Sequence, residues 1–225
     1  MTSTVRTSGR FCNHLIRNIF VSILAEKSNL VVDYSYHKQI EDLGINLFVG
    51  RMFYPVYVIL NDQNFMNYVK TNTQLRVQYT LGENTYFQTK EGSNFLFNHF
   101  QTVLKTGIIN KNKFKDRYEI NNDVFIHVRL GDVADKNPGF EYYNKVLSSI
   151  QFDKGYLSSD SPDHPICQQI IQTFPNITII KFNEVETMMF GSTCKHVVLS
   201  LCLCLSVSLS RCLSVFLSLC RSVVS

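Results

Sequence analysis

The sequence predicts an α/β protein whose strands form parallel sheets. Two observations lead to this fold class. First, short apolar runs typical of buried strands alternate along the chain with longer segments whose apolar residues recur at helical spacing. Second, polar motifs directly follow several predicted strands, which is where ligands bind in parallel sheets. Such an alternation is typical of parallel strands joined by right-handed helical crossovers.

The first half of the chain begins as a β-α-β unit. Residues 3–7 are predicted to form a short strand, and Gly9 separates them from a helix. The apolar residues of that helix recur at helical spacing, at Leu15, Ile16, Ile19, Phe20, Ile23 and Leu24. We expect further strands at 30–34 and 56–60, and helices at 37–43, 61–70 and 96–104, the last ending near Gly107. The polar segment 108–121 predicts a connection between two halves, and we place the first domain at 1–118.

The second half alternates more clearly and predicts a domain at 119–200. We expect strands at 124–128, 155–158, 177–182 and 196–199. Helices are expected at 140–150, 164–174 and 184–190. The three crossovers would make this sheet parallel throughout, so that the polar motifs of this half meet at one edge.

The last part of the chain differs in composition from everything before it. From Ser200 onward the sequence contains only Leu, Ser, Cys and Val apart from two Arg and one Phe, which resembles the translation of a simple nucleotide repeat. A membrane helix is the alternative, but Arg211 lies near its centre, where a charge costs about 2.5–3.5 kcal/mol. We therefore expect residues 201–225 to lie outside the fold and the second domain to be incomplete.

Composition and charge exclude several classes of function. The 22 basic and 18 acidic residues give a net charge of +4 and are scattered, whereas nucleic-acid binding requires a basic stripe. A mild positive charge does suit an anionic small molecule.

The 7 cysteines include no Cys-x-x-Cys pair, which argues against structural zinc and for a reducing compartment. The N-terminus has no apolar signal segment, so we expect a cytoplasmic protein rather than one in a Golgi-type membrane.

The segment Ile126–Asp132, with the sequence IHVRLGD, is the first candidate site. His127 and Arg129 alternate with apolar residues at the end of a strand, and Gly131 allows a sharp turn. A guanidinium at this position can hold a diphosphate with two hydrogen bonds and stabilise its charge. The alternative is a salt bridge at the strand end, from Arg129 to Asp132.

Two further polar motifs follow predicted strands. In GRFCNH, Gly9–His14, the glycine allows close approach of the backbone, and the helix start favours anions; alternatively, Asn13 is only the N-cap of that helix. In SSDSPDH, Ser158–His164, a carboxylate at Asp160 suits ribose hydroxyls or a base. Asp163, ahead of Pro165, is expected to be a helix N-cap instead.

Taken together and in this order, the three motifs resemble those of GDP-fucose-dependent fucosyltransferases, the group of the alpha-1,2- and protein O-fucosyltransferases. IHVRLGD is similar to the H-x-R-R-x-D motif of that group, with Leu130 in place of the second arginine. GRFCNH is similar to the loop G-[RL]-[FG]-x-N-Q, with His14 in place of glutamine. SSDSPDH is similar to the Ser-Asp segment after the next strand. The resemblance covers about residues 3–200 and is closest to the short alpha-1,2-type enzymes of giant viruses, algae and bacteria.

The resemblance implies a GT-B fold of two Rossmann-like domains, with the donor bound mainly by the second. It implies inverting transfer of L-fucose from GDP-fucose to a sugar hydroxyl of a glycan acceptor, without an obligatory metal or other cofactor. The implied catalytic residues are Arg129, His127 and Asp132. The implied donor-binding residues are Gly9, Arg10, Asn13, His14, Arg129, Ser159 and Asp160.

Three points stay open at this level. Members of the group continue beyond the strand at 196–199 with a loop rich in Gly, Ser and Phe and a further helix, where this chain has its repeat tail. Another GDP-sugar transferase, or a truncated remnant without activity, is therefore the alternative function. No catalytic base stands out, and Asp33 and Asp62 are the most plausible carboxylates of the first half.

Overall fold

The computed structural model describes residues 1–5, 9–82, 85–118 and 121–199, without the side chains of Asp132 and Val133. The chain divides into two compact units, Met1–Ile108 and Ile109–Ser225. All strand pairings of the described residues are parallel, so the predicted α/β class with parallel sheets is confirmed. The predicted tail, 201–225, lies outside the described residues, and the predicted assignment of the two halves to acceptor and donor stays a prediction.

The described residues of the first unit form four short strands. They are β1 (Thr2–Ser3), β2 (Val32–Asp33), β3 (Tyr57–Leu60) and β4 (Gln78–Leu81). β1 pairs with β2, and β3 pairs with β4. The Gln78 side chain joins the two pairs, because its Oε1 accepts hydrogen bonds from the backbone N of Thr2 at 2.9 Å and from its hydroxyl at 2.7 Å.

The helices of the first half are α1 (Phe11–Ser28), α2 (His37–Asp42), α3 (Phe65–Lys70), α4 (Lys90–His99) and α5 (Lys105–Lys111), with a π-helical segment (Phe100–Leu104) between the last two. The long helix α1 is buried along most of its length. The ring of Phe20 on α1 packs edge-on against those of Phe65 and Phe87, with centroids 4.8 and 5.8 Å apart. This aromatic cluster forms the core that fixes α1 against the unit.

Three expectations for the first half are wrong in detail. α1 begins at Phe11 with Arg10 as N-cap, so Asn13 lies inside the helix and is not its cap. The helix expected to end near Gly107 continues to Lys111. Gly107 is needed there for close packing, because a side chain on it would meet the carbonyl oxygen of Gly44 at 2.5 Å. The predicted strand 3–7 is shorter, and residues 6–8 lie outside the described part.

The second unit is built on one four-stranded parallel sheet. Its strands are β5 (Val124–Val128), β6 (Gly155–Ser159), β7 (Ile177–Ile179) and β8 (His196–Leu199). Their spatial order is β7-β6-β5-β8. The chain therefore extends the sheet from β5 in one direction and then places β8 on the other side of β5. In open α/β sheets such a reversal creates a crevice at the carboxyl ends of the two strands where ligands bind, here β5 and β8.

Helices cover both faces of this sheet. They are α6 (Phe140–Ser148), α7 (Pro165–Thr173) and α8 (Glu184–Ser192). On one face, Val124, Ile126 and Val128 of β5 form a buried core with residues of α6 and α7. On the other face lies α8, since a side chain on its Gly191 would meet the ring of Phe125 at 2.9 Å. Residues of β5 thus alternate between two different environments.

The predicted bounds of β5 and β8 are confirmed, whereas β7 ends at Ile179 instead of residue 182. The N-cap of α7 is His164 and not Asp163: its Nδ1 accepts a hydrogen bond from the backbone N of Ile166 at 3.2 Å. Since Pro165 is the first helical residue, the cap must be the residue directly before it.

Candidate functional site

The carboxyl end of β5 carries the central candidate residues. His127 is the fourth residue of the strand, Arg129 follows its last residue, and both are half-buried. Leu130 is only 1% exposed, so the loop turns inward after the arginine. The neighbouring end of β8 is tied to α6, because the hydroxyl of Tyr142 donates to the backbone carbonyl of Leu199 at 3.0 Å. The structure thus brings two predicted site residues to the point where the strand order reverses.

Asp160 holds the loop after β5 from one side. Its Oδ1 accepts hydrogen bonds from the backbone N of Leu130 at 2.8 Å and of Gly131 at 3.2 Å. Asp160 itself directly follows β6, at the same edge of the sheet. One oxygen of the carboxylate predicted to bind the donor therefore also fixes the residues that follow Arg129.

Asn137 holds the same loop from the other side. Its Nδ2 donates to the carbonyl of Arg129 at 3.0 Å and to the hydroxyl of Tyr143 at 3.1 Å. Its Oδ1 accepts from the backbone N of Gly139 at 3.0 Å. We call Asp160 and Asn137 the loop clamp. Sequence analysis missed Asn137, although the turn sequence Asn-Pro-Gly at 137–139 was a signal for a structured loop.

The electrostatic environment keeps His127 neutral. Its pKa is lowered to about 4, mainly by desolvation. The Asp160 carboxylate opposes this shift, and the Arg129 guanidinium adds to it. A neutral imidazole offers one N–H donor and one acceptor nitrogen. Between about pH 4 and neutral pH the ring therefore stays mostly uncharged, so Arg129 supplies the positive charge at this edge.

The two serines at the end of β6 face opposite sides of the sheet. Ser159 pairs with Val128, whereas Ser158 pairs with His127. Because Val128 belongs to the core under α6 and α7, Ser159 faces those helices, and its hydroxyl accepts from the backbone N of Ser161 at 3.1 Å. The predicted donor ligand Ser159 therefore lies on the face opposite His127.

The side chain of Asp132 lies outside the described residues, so the alternative salt bridge with Arg129 stays open.

In the first unit, the loop between β1 and α1 is organised around His14. The ring is 4% exposed, with Nδ1 at 2.6 Å from the hydroxyl of Ser35 and Nε2 at 3.2 Å from the carbonyl of Gly9. Burial lowers the pKa of His14, and the charge of Arg17 lowers it further. Since a carbonyl only accepts, the neutral ring donates from Nε2, and Nδ1 accepts from Ser35.

The structure also shows the positions of the other predicted residues of this loop, Gly9, Asn13 and Arg10. Gly9 has a φ of +114°, and a side chain there would meet Nδ2 of Asn13 at 2.6 Å, so glycine is required. Oδ1 of Asn13 accepts from the side chain of Gln88 at 3.1 Å. Arg10 is exposed at the N-cap of α1. The first turn of α1 contains no acidic residue and has no side-chain cap, which is compatible with a bound anion.

The two carboxylates considered as bases differ in what they contact. Oδ1 of Asp62 accepts from the backbone N of Tyr86 at 3.1 Å and of Phe87 at 2.7 Å, so this carboxylate anchors a loop. Asp33 is exposed at the end of β2, and its backbone carbonyl accepts from the N of Thr4 at 2.9 Å. Asp33 is thus the more accessible of the two.

The described residues contain neither a cluster of metal ligands nor a helix suited to a membrane. Within them, no group of three or more His, Cys, Asp or Glu side chains could hold a metal ion, and no helix combines the length and apolar character that a bilayer span needs. The chain matches no protein-family model and no curated protein.

Proposed function

We propose that the second unit binds a GDP-sugar at the carboxyl ends of β5 and β8, and that the protein is an inverting glycosyltransferase that transfers L-fucose to a sugar hydroxyl. The observation that carries this proposal is the position of Arg129, directly after β5 and beside the reversal of strand order. The resemblance of the three motifs to fucosyltransferases supports the choice of donor. We further propose a GT-B arrangement in which the first unit binds the acceptor.

The loop clamp is what would make Arg129 effective. Asn137 binds the carbonyl of Arg129, and Asp160 binds the amides of the next two residues. The backbone that carries the guanidinium is therefore fixed before any ligand arrives. A charge that is already in place stabilises a transition state without reorganisation of solvent, which is a major source of catalytic rate.

In the proposed reaction, the acceptor hydroxyl attacks the anomeric carbon of the sugar from the side opposite the diphosphate. A bond forms between this carbon and the acceptor oxygen while the bond to the phosphate oxygen breaks, and GDP leaves with additional negative charge. The proton of the acceptor hydroxyl passes to solvent water late in the step. The planar guanidinium of Arg129 can meet that charge with two parallel hydrogen bonds, which a lysine cannot form. Because Arg129 provides this charge, we expect transfer to continue in EDTA, and loss of activity that Mn²⁺ restores would contradict this mechanism.

A thermal-shift panel with GDP, GDP-fucose, GDP-mannose and UDP-sugars tests the proposed donor. A ligand at 100 times its Kd stabilises the folded state by about 2.7 kcal/mol, so the GDP compounds should raise Tm and the UDP-sugars should not. Equal stabilisation by UDP-sugars would contradict the assignment of the donor. Binding of GDP-fucose without any transfer to glycan acceptors would favour a remnant that has lost its activity.

A further inference from the structure

The register of β5 and β6 places a hydroxyl beside His127 that the motif resemblance does not assign. Ser158 is the direct partner of His127 across the two parallel strands. Adjacent strands lie about 4.8 Å apart, and paired residues point to the same face. This is the face that carries Phe125 and α8, away from the core under α6 and α7.

The Ser158 hydroxyl and the His127 ring have no hydrogen-bond partner within the part of the chain that the structure describes, although both residues are half-buried. Neither side chain is among the fully buried polar atoms that lack a partner, so the polar atoms of both keep some contact with solvent and are accessible to a ligand. Ser159, by contrast, already accepts from Ser161 on the opposite face. Two adjacent polar groups that have no partner among the described residues, at the strand ends where ligands bind, indicate a ligand contact.

We propose that the Ser158 hydroxyl and the His127 imidazole together donate hydrogen bonds to the diphosphate of the bound nucleotide, beside Arg129. This inference rests on the proposed function and adds Ser158 as a ligand-binding residue, where the resemblance implies Ser159.

The chemistry of the pair fits phosphate oxygens. A serine hydroxyl donates one hydrogen bond, and a neutral imidazole donates one from its N–H. Desolvation keeps His127 neutral, so the ring can donate without a proton being taken up first. Arg129 follows His127 by two residues, directly after the end of β5, and so lies at the same edge of the sheet. Hydrogen bonds to a charged partner are the stronger kind.

Calorimetry on the full chain tests this inference with Ser158→Ala and its neighbour Ser159→Ala as the matched control. The ligands are GDP, inorganic pyrophosphate and guanosine. We expect Ser158→Ala to weaken the binding of GDP and of pyrophosphate by roughly tenfold to a hundredfold, as for a lost hydrogen bond to a charged group. Ser159→Ala should leave both affinities within about twofold, because its hydroxyl faces the core of the unit.

Each other outcome contradicts a defined part of the account. If Ser158→Ala binds GDP and pyrophosphate as tightly as the unmodified protein does, the inference is wrong while the proposed function stands. If Ser158→Ala weakens guanosine binding instead, the hydroxyl contacts the nucleoside and not the diphosphate, which also overturns the inference. If the unmodified protein binds neither GDP nor pyrophosphate, the proposed function fails, and the inference fails with it.

Discussion

His14 and His127 are both in polar motifs next to a strand and a glycine turn, yet the structure uses them in opposite ways. Both ring nitrogens of His14 are occupied by Ser35 and Gly9, and the side chain is almost fully buried. His127 has no hydrogen bond to the described residues and is half-buried. The comparison shows that residue type and local context do not distinguish a structural histidine from one that can meet a ligand.

The difference arises from what holds each loop in place. In the first unit, His14 itself binds the backbone at Gly9. Its ring nitrogens are therefore already engaged by the protein. In the second unit, the loop after β5 is held by the loop clamp, which comes from outside the strand. The side chains of His127 and Arg129 are therefore not needed to hold this loop.

The largest effect should come from Arg129, which would give the second unit its function. Removing one preorganised donor of this kind typically lowers the rate by about 10²–10³, or roughly 2.7–4 kcal/mol. We expect Arg129→Ala to show this loss, and Arg129→Lys to fail nearly as badly because it lacks the planar pair of donors. Transfer rate and Tm should be measured together. Near-normal transfer by Arg129→Ala would remove the basis of the proposed mechanism.

His14→Ala should affect stability and not binding, in contrast to changes at the end of β5. The substitution removes the Nε2 contact of the Gly9 carbonyl and one of the two contacts of the Ser35 hydroxyl, which also lies 3.2 Å from the Thr4 hydroxyl. We expect a loss of about 0.5–1.5 kcal/mol for each hydrogen bond. Urea unfolding and GDP calorimetry on the same variant separate the two effects. Loss of GDP affinity at unchanged stability would show that His14 meets the donor, as the resemblance to fucosyltransferases implies.

The two histidines should also contribute to acid sensitivity. The pKa of His127 is about 4 in the folded protein and about 6.5 in the unfolded chain, so the unfolded state binds more protons between these values. Stability should therefore fall as pH decreases through this window, by up to about 1.4 kcal/mol per pH unit for one group, and be independent of His127 above it. His127→Gln should reduce this slope in urea unfolding, and His14, whose pKa is also lowered, should account for part of the remainder. An unchanged slope in His127→Gln would contradict the neutral, desolvated ring.

Asn137→Asp should have the smallest effect on stability but a specific effect on binding. Aspartate keeps the acceptor for Gly139 but loses the donor to the Arg129 carbonyl, at about 0.5–1.5 kcal/mol. The contact to Tyr143 can be kept, because the tyrosine hydroxyl can donate to the carboxylate. Because the loop that carries Arg129 is then less fixed, GDP affinity should fall.

Asn176→Asp is the matched control, since its Nδ2 also donates to a backbone carbonyl, that of Asp153, on the exposed surface. Equal GDP affinity of the two variants would show that the clamp does not act on Arg129.

The sequence predicted the second half better than the first, and the reason is physical. β5 is an apolar run that is buried in the parallel sheet, and β8 is a largely apolar, partly buried run beside it; the bounds of both were predicted correctly. β4, with the sequence Gln-Tyr-Thr-Leu, lacks that signal and was missed, since its Gln78 is buried by a specific contact to Thr2.

The sequence could not predict the direction of the side chains at the site or their hydrogen-bond partners. Ser158 and Ser159 are identical in type, and only the register with β5 decides which of them lies beside His127. The contacts of Asp160 and Asn137 to the loop depend on tertiary structure in the same way. Sequence patterns could thus locate the edge of the sheet and its charged residues. They could not show which of these residues face a ligand and which hold the loop in place.

The imidazole NMR signals of His127 and His14 during a titration with GDP test the central claim most directly. The signals can be assigned with the variants His127→Gln and His14→Gln. Our account predicts that GDP shifts the signals of His127, which lies beside the proposed diphosphate site, and leaves those of His14 in place. Movement of the His14 signals with those of His127 unchanged would contradict the account, because the nucleotide would then bind at the loop of the first unit.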